Sequence, residues 1–427
     1  MTYSRTRTND KKKMQRGKRA RKLLWFNLIM LACIVGFAAF IWMGNHRDET
    51  LQSGDKPDIA TESIAPSPDE SGLEATESSD APTASDDDGD DEVVNDAVPP
   101  SDDEETVSSS EPGTVSIALV GDILPAAKVL DYMNQFGFDY PFRETSSLLS
   151  AADITAGNLE TSITTRGTPA QNKEYVYRGP KEGLVPIKEA GFDFLSLANN
   201  HTMDYGWEGL SDTMDALDDA DLQHAGSGID DREAYTPAYV DGNGITVGFV
   251  SLTRVVPKTE WKADKDHPGL AEAYSTERAV AAVKEARGNA DVVVVMIHWG
   301  TERQDLPNEF QKSVGHTLID AGADLVIGSH PHVLQGFESY KGKWIAYSLG
   351  NFVFPGMSPA TTAETGILNA TCKPGGDCTL RFAPMIAKMA QPAPMDDVTG
   401  KALLARLSSN SFASKVEEDG TIVASNP

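Results

Sequence analysis

From about residue 114 onward, short apolar runs rich in β-branched residues alternate with stretches of helical period. The apolar runs are predicted strands, and they comprise Val115–Val120, Phe192–Leu197, Ile245–Leu252, Val292–His298, Leu325–Ile327 and Trp344–Leu349. Thr276–Ala286 and Glu309–Ala321 are predicted amphipathic helices between them. Strands that alternate with helices indicate an α/β fold with a mainly parallel sheet. Val292–Ile297 is apolar at every position, which predicts a strand covered on both faces.

Polar side chains stand at the carboxyl ends of five predicted strands. The five segments are Gly121-Asp122, Gly157–Glu160, Ala198–His201, His298–Glu302 and Gly328–His332. Ligand sites in open α/β sheets lie outside the carboxyl ends of the strands, so we expect these segments to meet at one rim. Together they supply Asp, Glu, Asn and four of the eight histidines in the chain.

Imidazole and carboxylate groups together suit Zn²⁺, Mn²⁺ or Fe, and these segments contain no Cys that would indicate a thiolate site. The candidate set is too large for one tetrahedral ion, and it suits two ions that share a bridging carboxylate. Each member has a plainer alternative: Asp122 as a helix N-cap, Asn199 and Asn200 as turn formers, and His298 as a satisfied core imidazole. The joint pattern favours the metal site. The other histidines, which we interpret as structural, are His46, His224, His267 and His316.

The N-terminal end predicts a membrane anchor. Leu23–Gly44 is a run of 22 uncharged residues, and a helix of that length spans roughly 33 Å, enough for a bilayer core. Residues 1–22 carry ten basic side chains and one acid, which places them in the cytoplasm and everything after the anchor outside. The alternative is a cleaved signal peptide, but the apolar run is long for one and no clean small-residue cleavage site follows.

Residues 45–113 are predicted to be a disordered acidic linker. They hold 22 acids against Arg47 and Lys56 and contain no aromatic residue, so they cannot bury enough apolar surface to fold. The whole chain has a net charge of −27. With +9 in residues 1–44 and −20 in the linker, the remaining residues carry −16. Such a balance argues against nucleic acid as a partner.

The polar segments resemble the CapA-type family, which is associated with poly-γ-glutamate capsule biosynthesis. The matching segments are VGDIL (120–124), GNLET (157–161), GFDFLSLANNHTMDYG (191–206), HAGSG (224–228), IHWGTE (297–302), LIDAGADLVIGSHPHVLQGFE (318–338) and IAYSLGNFVF (345–354). They occur in the family's order and cover roughly residues 114–356. The resemblance implies a four-layer metallophosphoesterase-like β-sandwich flanked by helices, over residues 114–360. Residues 361–427 are expected to extend this domain and to fray from Ser408.

The resemblance also implies roles for individual residues. Its metal ligands are Asp122, Glu160, Asn200, His298, His330 and His332, and its catalytic residues are His201, as acid or oxyanion stabiliser, and Asp122. Glu302 is expected to orient a ligand or a water. Asn158, Asp204 and Arg178 are expected to contact substrate or lock the loops around it, and a surface ion pair is the alternative for Arg178.

Three hypotheses about function follow, all with a single-pass membrane protein whose C-terminal domain is extracellular. In the first, two divalent metal ions support hydrolysis of a phosphoester or amide during synthesis or export of the polymer. In the second, the protein is an accessory subunit that holds the anionic polymer or the polyglutamate synthase subunits without turnover. In the third, it is a general cell-envelope metallophosphatase.

Outside the cell, Cys372 and Cys378 are expected to form a hairpin disulfide, with two free thiols as the alternative.

Overall fold

The computed structural model describes residues 111–425. The predicted cytoplasmic segment, residues 1–22, and the anchor, residues 23–44, lie outside the described residues, as does nearly all of the acidic linker. Within 111–425, no helix is both long enough and apolar enough to cross a membrane.

Twenty strands and eight α-helices make up the described part of the chain. The strands are β1 (Val115–Ile123), β2 (Ile154–Leu159), β3 (Ser162–Ile163), β4 (Arg178–Gly179), β5 (Phe194–Ser196), β6 (Gln223–Ala225), β7 (Ser227–Gly228), β8 (Ala238–Gly242), β9 (Ile245–Thr253), β10 (Gly269–Leu270), β11 (Val292–His298), β12 (Leu325–Ser329), β13 (Phe337–Tyr340), β14 (Lys343–Ala346), β15 (Asn351–Val353), β16 (Glu364–Lys373), β17 (Asp377–Lys388), β18 (Gln391–Pro394), β19 (Ser414–Val416) and β20 (Thr421–Ala424). The helices are α1 (Ala127–Phe136), α2 (Ser146–Leu149), α3 (Leu184–Glu189), α4 (Gly206–Asp219), α5 (Asp231–Ala234), α6 (Thr276–Asn289), α7 (Glu309–Ala321) and α8 (Asp397–Ser409).

The strands form two large sheets. The ten-stranded sheet has the order β19-β20-β17-β16-β1-β2-β5-β6, with β15 beside β1 and β18 beside β17. The six-stranded sheet has the order β13-β14-β12-β11-β9-β8. In the first sheet β1, β2, β5 and β6 are parallel, and in the second β9, β11, β12 and β14 are parallel. The two parallel blocks are the part of the fold that the strand–helix alternation predicted.

A single apolar core lies between the sheets. It includes Leu119 and Phe194 from the first sheet and Phe249, Val294 and Leu325 from the second, and all five are buried. The rings of Phe194 and Phe249 stack across the interface with their centroids 4.3 Å apart. Because every side chain of β11 is buried, the prediction of a strand covered on both faces is confirmed.

Helices cover the outer face of each sheet. On the ten-stranded sheet, Met133 of α1 and Leu217 of α4 pack with Leu195 of β5. On the six-stranded sheet, Val283 of α6 and Leu318 of α7 pack with strand residues such as Val295 of β11. The order of layers is therefore helix, sheet, sheet, helix, which is the four-layer sandwich expected from the sequence.

Strands β16–β20, from residues 364–424, belong to the ten-stranded sheet. Strand β16 pairs antiparallel with β1 over Val115–Leu119, and β19 and β20 extend the same sheet through β17. The expectation that the chain frays from Ser408 is therefore wrong through Ala424. The apolar residues Leu403, Leu407, Val416 and Ile422 join the core between the sheets, which offsets the entropy of ordering this segment. These antiparallel strands also make the first sheet mixed instead of mainly parallel.

A disulfide joins Cys372 and Cys378 across the β16–β17 hairpin. The two residues are directly opposite each other in the register of the pair, with their Cα atoms 4.1 Å apart. Both side chains are buried in the core between the sheets. The covalent link therefore closes the hairpin that pairs with β1.

Strand β1 continues through Asp122, farther than its apolar run. Asp122 pairs with Asn158 of β2 and Asn351 of β15, and its backbone N–H donates to the carbonyl of Gly350 at 2.9 Å. The N-cap alternative for Asp122 is therefore excluded, since α1 begins five residues later at Ala127. A side chain at Gly121 would overlap the carbonyl oxygen of Gly350, so only glycine permits this approach of β15 to β1.

Gly121→Ala is expected to destabilise the fold. The added Cβ would meet backbone atoms, which cannot move without disturbing both strands. We expect a loss of about 2 kcal/mol or more in the free energy of unfolding, measured by denaturant titration. Gly288→Ala is the matched control, because Gly288 lies in α6 with open space around it. Helix propensity predicts a gain of up to about 1 kcal/mol there. Equal effects of the two changes would contradict the prediction.

Candidate metal centre

Strand ends from both sheets bring the predicted ligands together. Asp122 comes from β1 and Glu160 from the residue after β2, both in the ten-stranded sheet. His298 is the last residue of β11, and His330 and His332 follow β12, both in the six-stranded sheet. All five residues are buried. The site therefore lies where the carboxyl ends of the two parallel blocks meet.

Two overlapping groups of potential ligands share the carboxylate of Glu160. One comprises Glu160, His298 and His330, and the other Asp122, Glu160 and His332. In each group the ligand atoms lie within 4.8 Å of one another. Both oxygens of Glu160 are buried without a hydrogen-bond partner among the described residues. Burial, and next the nearby Asp122, raises the pKa of Glu160 well above its usual range.

Asp122 is held from several directions. Its Oδ1 accepts a hydrogen bond from Nδ2 of Asn158 at 2.8 Å, and its Oδ2 lies 3.3 Å from the backbone N–H of His330. Nδ1 of His332 lies 3.5 Å from the same Oδ2. Burial raises the pKa of Asp122, while His332 and these hydrogen bonds oppose the shift. The contacts fix the orientation of the carboxylate and leave it near Glu160.

His298 and Asn200 face each other inside the site. Nε2 of His298 lies 2.8 Å from Oδ1 of Asn200 and 3.6 Å from Oε1 of Glu160. Nδ1 of His298 lies 2.9 Å from the hydroxyl of Ser329, which positions the ring from behind. Burial, reinforced by the neighbouring His330, lowers the pKa of His298 well below its usual range. A neutral imidazole is the form that binds a metal ion.

His330 and His332 have unusual backbone conformations. Their φ angles are +97° and +57°, in the left-handed region that L-residues rarely adopt. Nδ1 of His330 is buried without a hydrogen-bond partner in the part of the chain that the structure describes, and burial lowers the pKa of His330 to about 3. His332 uses Nδ1 to contact Oδ1 of Asn351 at 2.8 Å. Such strain is typical of functional sites, where the surrounding structure holds it in place.

His201 lies at the edge of the cluster with its own set of partners. Its Nδ1 is 2.7 Å from Oδ2 of Asp204 and 2.9 Å from Nζ of Lys173. Lys173 also donates to the other oxygen of Asp204 and, at 2.6 Å, to the carbonyl of Asn200. The ring of Tyr177 packs on the imidazole with a centroid distance of 4.5 Å. These contacts occupy Nδ1 of His201, so Nε2 is the nitrogen that remains available for proton transfer.

The remaining predicted residues occupy supporting or outer positions. Asn158 and Asp204 are buried, and their polar atoms contact neighbouring groups of the chain. Their expected role, in substrate contact or in locking the loops, stays a prediction. Glu302 is exposed, yet it forms a potential ligand group with His330 and His332. Arg178 lies outside the ligand groups, and its guanidinium carbon lies 4.8 Å from the ring centroid of Tyr205. The metal-ligand role of these groups stays a prediction.

Several supporting residues were missed at the sequence level. Lys173 lies in a loop with no strand-end context, so no pattern pointed to it. The sequence pattern gives Asn199 only a turn-forming role, whereas its side chain joins its own segment to the end of β2. It donates to Oδ1 of Asn158 and the carbonyl of Leu159, and its Oδ1 accepts from the backbone N–H groups of His201 and Thr202. The position of Asn199, between a predicted strand and the predicted site residues Asn200 and His201, is the one sequence feature that indicates a role in the site.

The residues present fit divalent metal ions. Three buried atoms without hydrogen-bond partners in the described residues, both oxygens of Glu160 and Nδ1 of His330, belong to one potential ligand group. Unsatisfied buried groups cost free energy unless an ion or water occupies them. The donors are oxygen and imidazole nitrogen, which suit Zn, Mn or Fe. A bound cation would also favour the ionised form of Glu160 and reverse the shift of its pKa.

The sequence has clear relatives. Residues 116–356 match the family described as bacterial capsule synthesis protein. The chain belongs to this capsule synthesis family. The PGA biosynthesis protein CapA of Bacillus subtilis is 34% identical over 73% of this chain and 83% of its own length. The capsule biosynthesis protein CapA of Bacillus anthracis is 33% identical over 69% of this chain and 73% of its own length.

A more distant relative is the probable polyglutamine synthesis accessory protein of Mycobacterium tuberculosis, 32% identical over 50% of this chain and 59% of its own length. Among solved structures, the sulfate thiohydrolase SoxB of Thermus thermophilus aligns over 65% of this chain and 56% of its own, and a 5′-nucleotidase of Candida albicans over 64% and 51%. Both have TM-scores of 0.37 and 12% identity, too low to bear on fold or activity.

Divalent metal ions are expected to stabilise this member of the capsule synthesis family. Free metal at about 100 times its Kd adds about 2.7 kcal/mol to the free energy of unfolding, measured by thermal unfolding with Mn²⁺ or Zn²⁺ against a chelator. Glu160→Gln should remove most of the gain, because Glu160 is common to two of the ligand groups. Glu208→Gln, at an exposed helical position, is the control. Identical unfolding of the wild-type protein with metal and with chelator would contradict the assignment.

The environment of His201 makes a second prediction, for the metal-free protein. Burial lowers the pKa of His201, Asp204 raises it, and Lys173 lowers it further. Asp204→Asn should therefore lower the pKa of His201, and Lys173→Met should raise it. NMR titration of the imidazole measures both shifts, with Lys188→Met, at the end of α3, as the control for loss of a lysine. Shifts of the same sign in the two variants would contradict the arrangement.

Proposed function

We propose that the protein is a membrane-tethered, extracellular metal-dependent hydrolase of poly-γ-glutamate capsule synthesis or export. It would have the metallophosphoesterase-like type of site and would act on a phosphoester or amide bond. Membership in the capsule synthesis family supports the process, and two close relatives are named CapA. The observation that carries the chemistry is the buried carboxylate of Glu160, shared by two groups of potential ligands.

The ligands divide between two ions in this proposal. Glu160, His298 and His330 would hold one, with Oδ1 of Asn200 beside His298 as a further ligand. Asp122 and His332, again with Glu160, would hold the other. When bound, divalent metal ions activate water and polarise a phosphoryl or acyl oxygen.

His201 is the residue proposed to move a proton. With a hydrogen on Nδ1 donated to Asp204, the imidazole is oriented so that Nε2 faces away from this pair. Asp204 favours the protonated ring, while burial and Lys173 favour the neutral ring. In the doubly protonated ring, Nε2 would give its proton to the leaving group, or donate a hydrogen bond to the charge that develops on the substrate oxygen, while Nδ1 keeps its own hydrogen. Asn199 supports this role by holding the backbone of His201 and Thr202.

The membrane tether is proposed from charge and hydropathy. The uncharged run Leu23–Gly44 follows a segment with ten basic residues and precedes one with 22 acids, so the positive-inside rule orients the protein with its C-terminal part outside. Subunits of a polyglutamate synthase and the anionic polymer are the proposed partners.

The second candidate is an accessory protein without turnover. The name of the mycobacterial relative, a probable polyglutamine synthesis accessory protein, favours it. In that case the metal centre would hold the two sheets together or organise a complex, and His201 would not be required.

His201→Gln separates the two candidates. If the protein is a hydrolase, the variant should lose about 10²–10⁴-fold in kcat/KM, because a positioned proton donor is removed. Its metal content should be unchanged, since His201 is outside the ligand groups. The measurements are hydrolysis of phosphoesters and γ-glutamyl polymers by the purified protein, its metal content, and polymer yield in cells. His267→Gln, at an exposed position, is the control.

Normal polymer yield from the His201→Gln variant, together with loss of polymer when residues 1–44 are deleted, would favour the accessory protein. Hydrolysis of simple phosphoesters by the wild type, with no effect of the variant on polymer, would instead favour a general phosphatase.

A further inference from the structure

Three basic side chains lie together on the loop that follows β9. The segment between Thr253 and Gly269 contributes Arg254, Lys258 and Lys262, which we name the cationic strip. None of the three forms an ion pair with a carboxylate within residues 111–425, although Glu260 is exposed in the same loop. Since residues 114–427 carry a net charge of −16, a group of unpaired cations at one place is a local reversal of the surface charge.

Aromatic rings support each member of the cationic strip. The guanidinium carbon of Arg254 lies 5.2 Å from the ring centroid of Tyr274 and 4.7 Å from that of Phe310. Nζ of Lys262 lies 4.2 Å from the centroid of Tyr274. These contacts restrict the cations without neutralising them, because a ring face attracts a cation but carries no net charge. The charges therefore remain available to an anionic ligand.

The strip adjoins the candidate metal centre at two points. The backbone N–H of Arg254 donates to the carbonyl of His298 at 2.8 Å, so the strip begins beside a predicted ligand. At the other point, Nζ of Lys258 and Nζ of Lys173 each lie 5.6 Å from the ring centroid of Trp261. Lys173 in turn contacts Nδ1 of His201. An anionic chain lying on the strip would therefore extend from the place where His201 and the ligands meet.

Exposed aromatic surface marks the same face. Tyr274 is 44% exposed and Phe310 is 65% exposed. Large exposed apolar side chains next to unpaired cations are typical of a surface that binds a ligand with both charge and an aliphatic backbone. A small inorganic anion would leave the rings exposed.

We propose that Arg254, Lys258 and Lys262 form a binding subsite for a linear polycarboxylate, one segment of which lies in the metal centre. The inference rests on the proposed function, because it names the chemical class of that site's substrate. Three separate cations, each beside an aromatic ring, match single negative charges that recur along a chain. A phosphate group would be matched better by a bidentate arginine pair or a long helix N-terminus, and the strip has one arginine.

The test is binding of a fluorescein-labelled γ-glutamyl decamer to the full-length protein, measured by anisotropy at two salt concentrations. The variant Arg254→Gln/Lys258→Gln/Lys262→Gln should bind roughly tenfold more weakly, since three partly exposed charge contacts are lost. Its metal affinity and its thermal unfolding should be unchanged, because none of the three residues is in a ligand group.

The matched control is Lys284→Gln/Lys373→Gln/Lys388→Gln, which removes the same charge from exposed positions outside the strip. Equal weakening by both triple variants would overturn the proposal, because only net charge would then matter. Tighter binding of a polyphosphate chain than of the decamer to the wild type would overturn the assignment to a polycarboxylate.

Glu160→Gln separates this proposal from the proposed hydrolysis. The variant should lose turnover, and the triple substitution in the strip should still weaken its binding of the decamer roughly tenfold, because the strip lies outside the ligand groups. If the wild type binds the decamer through the strip and shows no turnover, the subsite stands and the hydrolase fails. If the wild type hydrolyses the polymer but the strip variant binds it normally, the subsite fails alone.

Discussion

The buried carboxylate of Glu160 is the constraint around which the centre of this protein is organised. A carboxylate without hydrogen bonds in the interior is costly, whether it is ionised and unpaired or must take up a proton. Here Asp122 adds repulsion, and burial lowers the pKa of the neighbouring His298 and His330. These side chains do not satisfy one another as a hydrogen-bond network. A bound metal cation would compensate the charge of the two carboxylates and make their burial favourable. The neighbouring asparagines orient the ligands but bring no charge of their own.

This chemistry depends on the packing of two sheets. The acids are carried by one sheet and the histidines predicted as ligands by the other, so no single supersecondary unit contains the candidate site. The core between the sheets, with Phe194 stacked on Phe249, sets their relative position, and it extends from the buried strands to the strand ends that carry Asp122 and His298. Close approaches at Gly121 and Gly328 leave no room for a side chain there. The close packing of the core between the sheets therefore fixes the positions of the predicted ligands at the strand ends.

Much of the fold and the primary site could be predicted from the sequence, because both follow from local patterns. The bounds of β11 and α7 agree with the predicted runs, since a fully apolar strand and an amphipathic helix are strong local signals. Polar residues at strand ends identified Glu160 and His330 for the same reason. Tertiary contacts have no such signal: nothing near Lys173 indicates that it reaches Asp204, and nothing in Ser414–Val416 indicates its pairing with β20. Short strands of that kind are formed by the sheet that they join.

Strand β16, which pairs with β1, is synthesised long after β1. Val115 pairs with Cys372, and β16 covers the side of β1 that faces away from β2. When ribosomal synthesis has just completed the metal-centre segments, β1 still lacks this partner and exposes a row of backbone donors and acceptors. Non-local pairing of this kind slows folding. The domain can therefore complete its ten-stranded sheet only after β16 and β17 have been synthesised. Chains shortened before β16 would expose an unpaired, aggregation-prone edge on β1, the strand that carries Asp122.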